Sequence, residues 1–442
     1  MGGESLYGVQ HNLTGMKMRT RESLATILVV APVLVAAGCG SASLPVHTIH
    51  TDSAGIYIAT AVEPLWKPGE GWTVEPEPLL EIGTVTGAPE YQLTDVVAAV
   101  RLSNGDIVVA ERAASELRSY DAAGNFQWRA GRSGEGPGEF RSLDFVGTTA
   151  GDSLVTYDGA LLRAQLFDPQ GGLARSYRVA ITEGEGANRA AVADKAVGVV
   201  DGLLVVRFIE YGDEVPNGVV RWPGERLAAV DLADGAGRSL IVLPGNEANV
   251  RAQEDGGYSH GSYVFSKGPE YGAAAGHLTV IDTEAWSVRM ISPRDGAVTA
   301  VFRRDVAPRE ATTALFELHL DGIVEIAFAD PEQAAAERVD GLRRMWRGMP
   351  RAPHLPVLRS IHVDGTGHLW LQPYYVAGAE PPPFEILAPD GTWLGSVTLP
   401  PGLHRAFLQY QAPYMEIGDD YVLGVWTDEL DVQYVRMYRI NK

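Results

Sequence analysis

The chain has 442 residues, of which 45% are hydrophobic, enough for one large domain or two ordinary ones. Its 56 acidic and 36 basic side chains give a formal net charge of −20, which argues against nucleic acid as a partner and against binding to an anionic membrane surface. A single cysteine excludes an intrachain disulfide and a cysteine-based metal site. The 50 glycines and 27 prolines favour many short strands over long helices.

The N-terminal region has the pattern of a secretory signal. Three basic residues between positions 17 and 21 precede an apolar run over 24–37, which ends in small residues. This run is too short to span a bilayer comfortably, because a transmembrane helix needs about 20 apolar residues. We therefore predict a signal peptide over residues 1–38, with Met16 and Met18 as candidate starts.

The end of this signal, "VAAGCG", contains the only cysteine of the chain, Cys39. It resembles the lipobox of bacterial lipoproteins, although Ala36 stands where that motif usually has leucine. The resemblance implies lipidation of Cys39 and a flexible leader over residues 39–54. The protein would then be exported and anchored to a bacterial membrane by lipid alone, facing the periplasm or the cell exterior. An ordinary cleaved signal with an incidental cysteine is the alternative.

After the leader, units of three or four short strands recur. "DIVVAE", "ELRSYD" and "NFQWRA" read as strands, with a turn at 121–124 that begins with Asp and ends with Gly. A second unit has its turn at 168–172, so Asp168 lies 47 positions after Asp121. Later turns are expected at 231–235, at Asp282 and at 389–391. Periodic four-stranded units of this length are typical of β-propeller blades.

The glycine-rich stretch "GRSGEGPGEF" (131–140) could be a phosphate-binding loop or a structural turn. It matches neither the Walker nor the dinucleotide spacing, and Pro137 removes a backbone donor. It resembles the inter-blade turn of NHL-type propellers, with Phe140 at the aromatic position. The chain therefore resembles bacterial six-bladed, NHL-repeat-like β-propeller lipoproteins, most clearly over 95–180 and 355–442.

This resemblance implies an all-β fold, a six-bladed β-propeller over residues 55–442. The last unit, from Tyr421, has three strands at most. A ring left open there would have two unpaired edges. We therefore expect the early segment 55–63 to pair with the last unit and close the ring.

One segment departs from the β pattern. "DPEQAAAERVDGLRRMWRGMP" predicts a helical insertion over 330–349, between blades four and five, with Asp330 as N-cap. Its polar face carries Arg343, Arg344 and Arg347, which are candidate residues for binding an anionic partner. The alternative is a solvated helix face whose arginines pair with nearby acids.

No catalytic motif, metal site or cofactor site is identified by the sequence. Two functions remain open. The first is an anchored binding or scaffold module for a protein, peptide or glycan partner, with the accessory subunit of a membrane complex as one form of it. The second is a hydrolase or lyase of the lactonase type, with its site on the funnel face of the propeller.

Overall fold

The computed structural model describes residues 46–181, 191–211, 214–254, 257–328, 335–403, 415–428 and 432–442. Strands dominate, and two helices, α1 (Thr313–Ala327) and α2 (Ala336–Arg347), lie between the strands Val298–Arg304 and Leu358–Val363. A short 3-10 helix covers Pro89–Tyr91. No helix in these ranges is long and apolar enough to cross a membrane.

The strands, in chain order, are β1 (Thr48–Ser53), β2 (Ile56–Ala61), β3 (Thr73–Val74), β4 (Leu80–Ile82), β5 (Val96–Arg101), β6 (Ile107–Glu111), β7 (Glu116–Tyr120), β8 (Phe126–Ala130), β9 (Leu143–Thr148), β10 (Leu154–Asp158), β11 (Arg163–Phe167), β12 (Leu173–Arg178), β13 (Ala191–Val200), β14 (Leu203–Glu210), β15 (Gly218–Arg221), β16 (Gly224–Asp231), β17 (Gly237–Leu243), β18 (Glu247–Ala252), β19 (Tyr258–Gly261), β20 (Pro269–Ala274), β21 (His277–Asp282), β22 (Ser287–Ile291), β23 (Val298–Arg304), β24 (Leu358–Val363), β25 (Leu369–Pro373), β26 (Phe384–Leu387), β27 (Trp393–Val397), β28 (Glu416–Ile417), β29 (Tyr421–Thr427) and β30 (Gln433–Asn441).

These strands form successive antiparallel sheets. The first strand of one sheet lies beside the first strand of the next. Four-stranded sheets are β5–β8, β9–β12, β13–β14–β16–β17 and β24–β27, and β20–β23 form part of a larger sheet. The first strands contact one another in the series β5, β9, β13, β20 and β24, and β29 of the last sheet contacts β5. The apolar clusters fill the spaces between neighbouring sheets. This arrangement is a β-propeller.

The last sheet combines C-terminal strands with two strands from the N-terminal part of the chain. It contains β28, β29 and β30, and β4 pairs with the outer side of β30 through the register Val435↔Ile82. As expected, the last unit is incomplete by itself and an early part of the chain completes it. The early strands are β3 and β4, however, and not the segment 55–63.

The segment 55–63 has a different place from the one predicted. Its strand β2 pairs in parallel with β23, from Tyr57↔Ala300 to Ala61↔Arg304. Residues 48–53, expected within a flexible leader, form β1 and pair with β2, so the sheet has the order β1-β2-β23-β22-β21-β20. The prediction failed because strand composition does not specify the partner strand. Ala59 packs in the same cluster as Phe302, which anchors β2 on β23.

The stretch 131–140 joins β8 to β9 and is structural, as predicted. Phe140 is fully buried, and its backbone N–H donates to the carbonyl of Arg132 at 2.9 Å. Gly131 has φ +97°, and a Cβ at this position would lie 2.6 Å from the ring of Phe140. The glycine therefore provides both the backbone conformation and the space that the aromatic anchor needs.

The turns between third and fourth strands follow the predicted chemistry, with one exception. The Asp121 carboxylate accepts from the N–H groups of Ala123 and Asn125, at 2.9 and 2.8 Å, and Asp168 does the same in the next sheet. The turn predicted at Asp282 instead joins the second and third strands of its sheet, because "HLTVID" is the second strand β21.

The helical insertion is larger than predicted. Helix α2 ends before Gly348, as expected, while the predicted N-cap Asp330 lies outside the described residues. Helix α1 was missed by sequence reasoning, although Thr312 caps it by accepting from the N–H of Leu315 at 3.3 Å. Its β-branched residues and central glycine resemble a strand, which conceals the helical spacing.

Candidate functional site

Three long connections leave from one end of the propeller. In an antiparallel sheet alternate strands reverse direction, so the connections that follow second and fourth strands lie at the same end. Connections 211–223, 244–268 and 305–357 are all of this kind. We call this end the insertion end, and the end with the tight turns the opposite end.

A charged network at the insertion end begins at Arg112, just after β6. Its guanidinium donates to both carboxylate oxygens of Asp95, at 2.9 and 3.0 Å, and to Asp144 of the next sheet at 3.1 Å. Asp144 also accepts from the N–H of Gly159 at 2.9 Å and from the hydroxyl of Ser142 at 2.8 Å. Arg112 therefore joins two sheets, and these hydrogen bonds raise its pKa above the ordinary arginine value.

A second network continues from the third sheet to the fourth. Arg207 on β14 pairs with Asp194 on β13 and, at 3.2 Å, with Glu225 on β16. The hydroxyl of Tyr271 on β20 donates to Glu225 at 2.5 Å. Burial is the main cause that raises the pKa of Tyr271, and the charge of Glu225 adds to it.

Together the two networks contain four carboxylates for two guanidinium groups, since Asp95 and Asp144 pair with Arg112 and Asp194 and Glu225 pair with Arg207. The two networks therefore carry a net negative formal charge, which favours the approach of cations. No group of three or more His, Cys, Asp or Glu side chains is placed to hold a metal ion in the part of the chain that the structure describes.

The long connections build an accessory layer on this end. Strands β15, β18 and β19 form a three-stranded sheet outside the propeller sheets. The connection after β19 pairs with the helical insertion, because Val264 donates to the carbonyl of Pro350 and Ala352 donates to that of Val264, both at 2.9 Å. Phe265 and Phe316 pack in one cluster, so α1 lies on the same layer. Connections from separate sheets therefore form one surface.

Four rings cluster on the accessory sheet. Trp222 meets Tyr258 edge-to-face with centroids 4.7 Å apart, and Tyr211 at 5.5 Å. Tyr211 and Tyr258 are 6.4 Å apart, and His260 lies 6.2 Å from Trp222. Sequence reasoning missed this cluster, because the two tyrosines are 47 positions apart and the accessory strands that bring them together were not identified. We call Tyr211, Trp222, Tyr258 and His260 the aromatic cluster.

The predicted arginine patch is partly engaged within the protein. Arg343 pairs with Asp321 at 2.6 Å, and Arg347 pairs with Glu317 at 2.7 Å, both acids belonging to α1. Arg344 is exposed and forms no ion pair with the residues that the structure describes. These contacts favour the alternative of a helix face paired with nearby acids, and binding of an anionic partner stays a prediction.

A pocket of about 220 Å³ lies at the opposite end, between the third and fourth sheets. Asp201 and His277 line it, and burial lowers the pKa of His277 while the carboxylate of Asp201 opposes this shift. The remaining walls are mixed, with the apolar Leu278 and Met290 beside the polar Arg294 and Thr299. A small polar molecule would fit its volume.

Cys39, the predicted lipidation site, lies outside the described residues. No family model matches the chain. No curated protein matches it either.

Solved propeller-type structures resemble the chain at low sequence identity. A member of the duf4221 family from Bacteroides vulgatus has 12% identity and a TM-score of 0.47, covering 84% of this chain and 99% of that one. The calcium-binding protein regucalcin from Agrobacterium tumefaciens has 11% identity and a TM-score of 0.37, with coverages of 79% and 92%. Virginiamycin B lyase from Staphylococcus aureus has 10% identity and a TM-score of 0.38, with coverages of 84% and 100%. The fold assignment therefore rests on the sheet topology of this chain.

Proposed function

We propose that the protein is an exported, lipid-anchored, six-bladed β-propeller that binds a partner protein, peptide or glycan through its insertion end. The blades would be the successive sheets that begin at β5, β9, β13, β20, β24 and β28, with the helical insertion between the fourth and fifth. Cys39 would carry the lipid. The membrane would be contacted through this anchor alone, with no nucleic acid among the partners.

One observation carries the binding role: connections from different sheets join into one accessory layer at a single end. The backbone bonds of Val264 with Pro350 and Ala352 tie the two insertions together, and such a surface is not needed to complete the propeller sheets. Loops placed on a rigid scaffold are where proteins usually place binding residues. The opposite end has tight turns instead, such as those at Asp121 and Asp168.

The second candidate is a hydrolase or lyase. The observation that favours it is the polar network of Arg207, Glu225 and Tyr271, which lies at the end where propeller connections converge. Stoichiometric calcium or zinc in the purified protein, together with turnover of a lactone or ester panel, would favour this candidate over a binding module.

Site-specific photo-crosslinking in intact cells tests the binding role. A photo-reactive residue in place of Met345, which is exposed on α2, should crosslink a defined partner. The matched control carries the same residue in place of Ala123, in an exposed turn at the opposite end. The proposal predicts a crosslinked band from position 345 that position 123 does not produce. Crosslinks from position 123 alone, or from neither position, would contradict it.

Membrane fractionation and fatty-acid labelling of Cys39→Ser test the anchor. We expect the variant to leave the membrane fraction and to lose incorporation of a fatty-acid probe, because the proposed acyl chains on Cys39 are its attachment to the membrane. Sedimentation with membranes at the unmodified protein's level would show that another segment attaches the protein.

A further inference from the structure

The aromatic cluster lies on one face of the accessory sheet. In an antiparallel pair, opposite residues point to the same face. Tyr258 is opposite Ala252, and His260 is opposite Val250, so both rings lie on the face that carries Val250. Trp222 and Val250 share one apolar cluster and therefore share this face. The other face is polar, since Arg251 is opposite Ser259.

This face exposes aromatic surface in a way that no other described region does. Tyr211 is 43% exposed and Tyr258 is 41% exposed, and across the described ranges they are the only exposed residues among Phe, Trp and Tyr. They are also neighbours, both packed against Trp222. Scattered exposed aliphatic residues are ordinary on a protein surface, but two adjacent exposed aromatic rings on a supporting tryptophan indicate a contact surface.

Carboxylates lie on the segments that carry this face. The exposed carboxylates of Glu214 and Glu254 lie near Tyr211 and Tyr258 in the chain. Asp194 of the acidic network also affects Tyr211, whose pKa is raised first by burial and then by neighbouring groups that include this carboxylate. The guanidinium of Arg207 is already engaged by Asp194 and Glu225. The aromatic face therefore borders the network of Asp194, Arg207 and Glu225 at Tyr211.

Aromatic faces and carboxylates together select cationic side chains. A guanidinium group stacks on a tyrosine ring, and its donors bind carboxylates at the ring's border. An acidic partner would be repelled, and the chain's net charge of −20 strengthens this selection at long range. A neutral glycan would use the rings but gain nothing from the carboxylates.

We propose that the face formed by Tyr211, Tyr258 and His260 docks a basic segment of a partner protein, through arginine or lysine side chains. This inference rests on the proposed binding function and names the chemistry of the partner.

The test is binding of a short disordered peptide of Arg, Gly and Ser to the purified mature protein, measured by fluorescence anisotropy at low ionic strength. The reference peptide has Gln in place of each Arg. The double variant Tyr211→Ala with Tyr258→Ala should bind the basic peptide roughly tenfold more weakly, since exposed cation–aromatic contacts contribute about 0.5–1 kcal/mol each. Glu214→Gln with Glu254→Gln should also weaken binding and reduce its dependence on salt.

The matched control is Val219→Ala. Val219 is 46% exposed on β15 and is opposite Asn249, so it lies on the other face of the same sheet. It should bind the peptide as the unmodified protein does. If the alanine double variant loses its near-UV circular dichroism, Tyr211→Leu with Tyr258→Leu replaces it. The leucine variant keeps the apolar bulk without the aromatic rings and should show the same loss of binding.

Equal binding of the Arg and Gln peptides, unchanged binding by the folded tyrosine variants, or an equal loss in Val219→Ala would overturn the inference. Tyrosine-dependent binding of a neutral oligosaccharide instead of the basic peptide would also overturn it. Photo-crosslinking from position 345 separates the two proposals. A partner still captured by the tyrosine variants would leave the binding function standing and reject this docking face.

Discussion

Gly322 lies in the middle of α1, where a glycine ordinarily weakens a helix. A Cβ at this position would lie 2.1 Å from the backbone nitrogen of Gly378 and 2.3 Å from the carbonyl carbon of Ala377. The glycine therefore lets α1 approach the connection between β25 and β26. On the other helix, Gly341 has no atom within 4 Å of an added Cβ. The two glycines look alike in the sequence but differ in their surroundings.

We predict opposite effects for alanine at these two positions. Gly322→Ala should lower the free energy of unfolding by about 1–3 kcal/mol, because backbone atoms must move to admit the methyl group. Gly341→Ala, the matched control, should raise it by up to about 1 kcal/mol through helix propensity. Urea unfolding of both variants gives the comparison. A Gly322→Ala protein as stable as the unmodified one would show that α1 does not need this close approach.

At the scale of elements, the first and last sheets meet where β5 ends and β28 begins. The backbone N–H of Arg101 donates to the carboxylate of Glu416 at 3.2 Å, and the hydroxyl of Tyr421 donates to the same oxygen. The guanidinium of Arg101 lies over the ring of Tyr421, 4.8 Å from its centroid. Burial raises the pKa of Glu416 to about 7, against the opposing effects of these hydrogen bonds. A titratable group thus lies in the junction between the two ends of the ring.

We predict that this junction weakens as pH rises. The carboxyl of an unfolded chain titrates at a pKa of about 4.3, and the folded pKa of Glu416 is higher, so the folded state binds more protons in between. Its contribution to stability is fully present below about pH 4.3 and is lost as pH rises through about 7. Glu416→Gln should remove this contribution to the pH dependence while its amide oxygen still accepts both hydrogen bonds.

Denaturant midpoints measured from pH 5 to pH 8 test this prediction. The measurements begin between the unfolded and folded pKa values, about 4.3 and about 7, and end just above the folded value. The stability of the unmodified protein relative to Glu416→Gln should fall across this interval and then level off. Glu385→Gln is a suitable control, because its carboxylate lies in another junction and pairs with Arg304 at 2.8 Å. A constant difference between the unmodified protein and Glu416→Gln would mean that Glu416 does not titrate in this range.

At the scale of the whole molecule, two N-terminal pieces have different roles. The hairpin of β1 and β2 extends a complete sheet at β23, whereas β3 and β4 complete the sheet that β28, β29 and β30 leave unfinished. Leu80 and Ile82 are buried in the cluster that joins the last sheet to the first. A closed ring leaves no unpaired edge at this junction.

We predict that truncations at the two sites differ in kind. Removal of the final 20 residues deletes β30 and most of β29, so β4 loses its partner and the ring should unfold cooperatively, with loss of the near-UV circular dichroism. Deletion of residues 46–62 removes only the β1–β2 hairpin and serves as the control. This control protein should keep a native-like near-UV spectrum and a single unfolding transition, at reduced stability because Phe302 loses its packing against Ala59. Survival of the native spectrum after the C-terminal truncation would contradict closure by β30.

The sequence alone determined the features that depend on neighbouring residues. The carboxylate-capped turns at Asp121 and Asp168, the buried Phe140 of the connection 131–140 and the end of α2 at Gly348 all follow from local backbone chemistry. The incomplete last unit was also readable, because its strands alternate regularly up to the C-terminal region.

Only the tertiary structure decided which distant segments meet. Strand composition could not show that β2 pairs with β23 or that β4 closes the ring, since many strands of the chain would suit either place. The same limit applies to Arg343 and Arg347, whose acidic partners lie on a helix that sequence reasoning missed. It also applies to Tyr211 and Tyr258, which become neighbours only when two separate connections fold into one sheet. Local turns are specified over a few residues, whereas these contacts depend on packing between segments far apart in the chain.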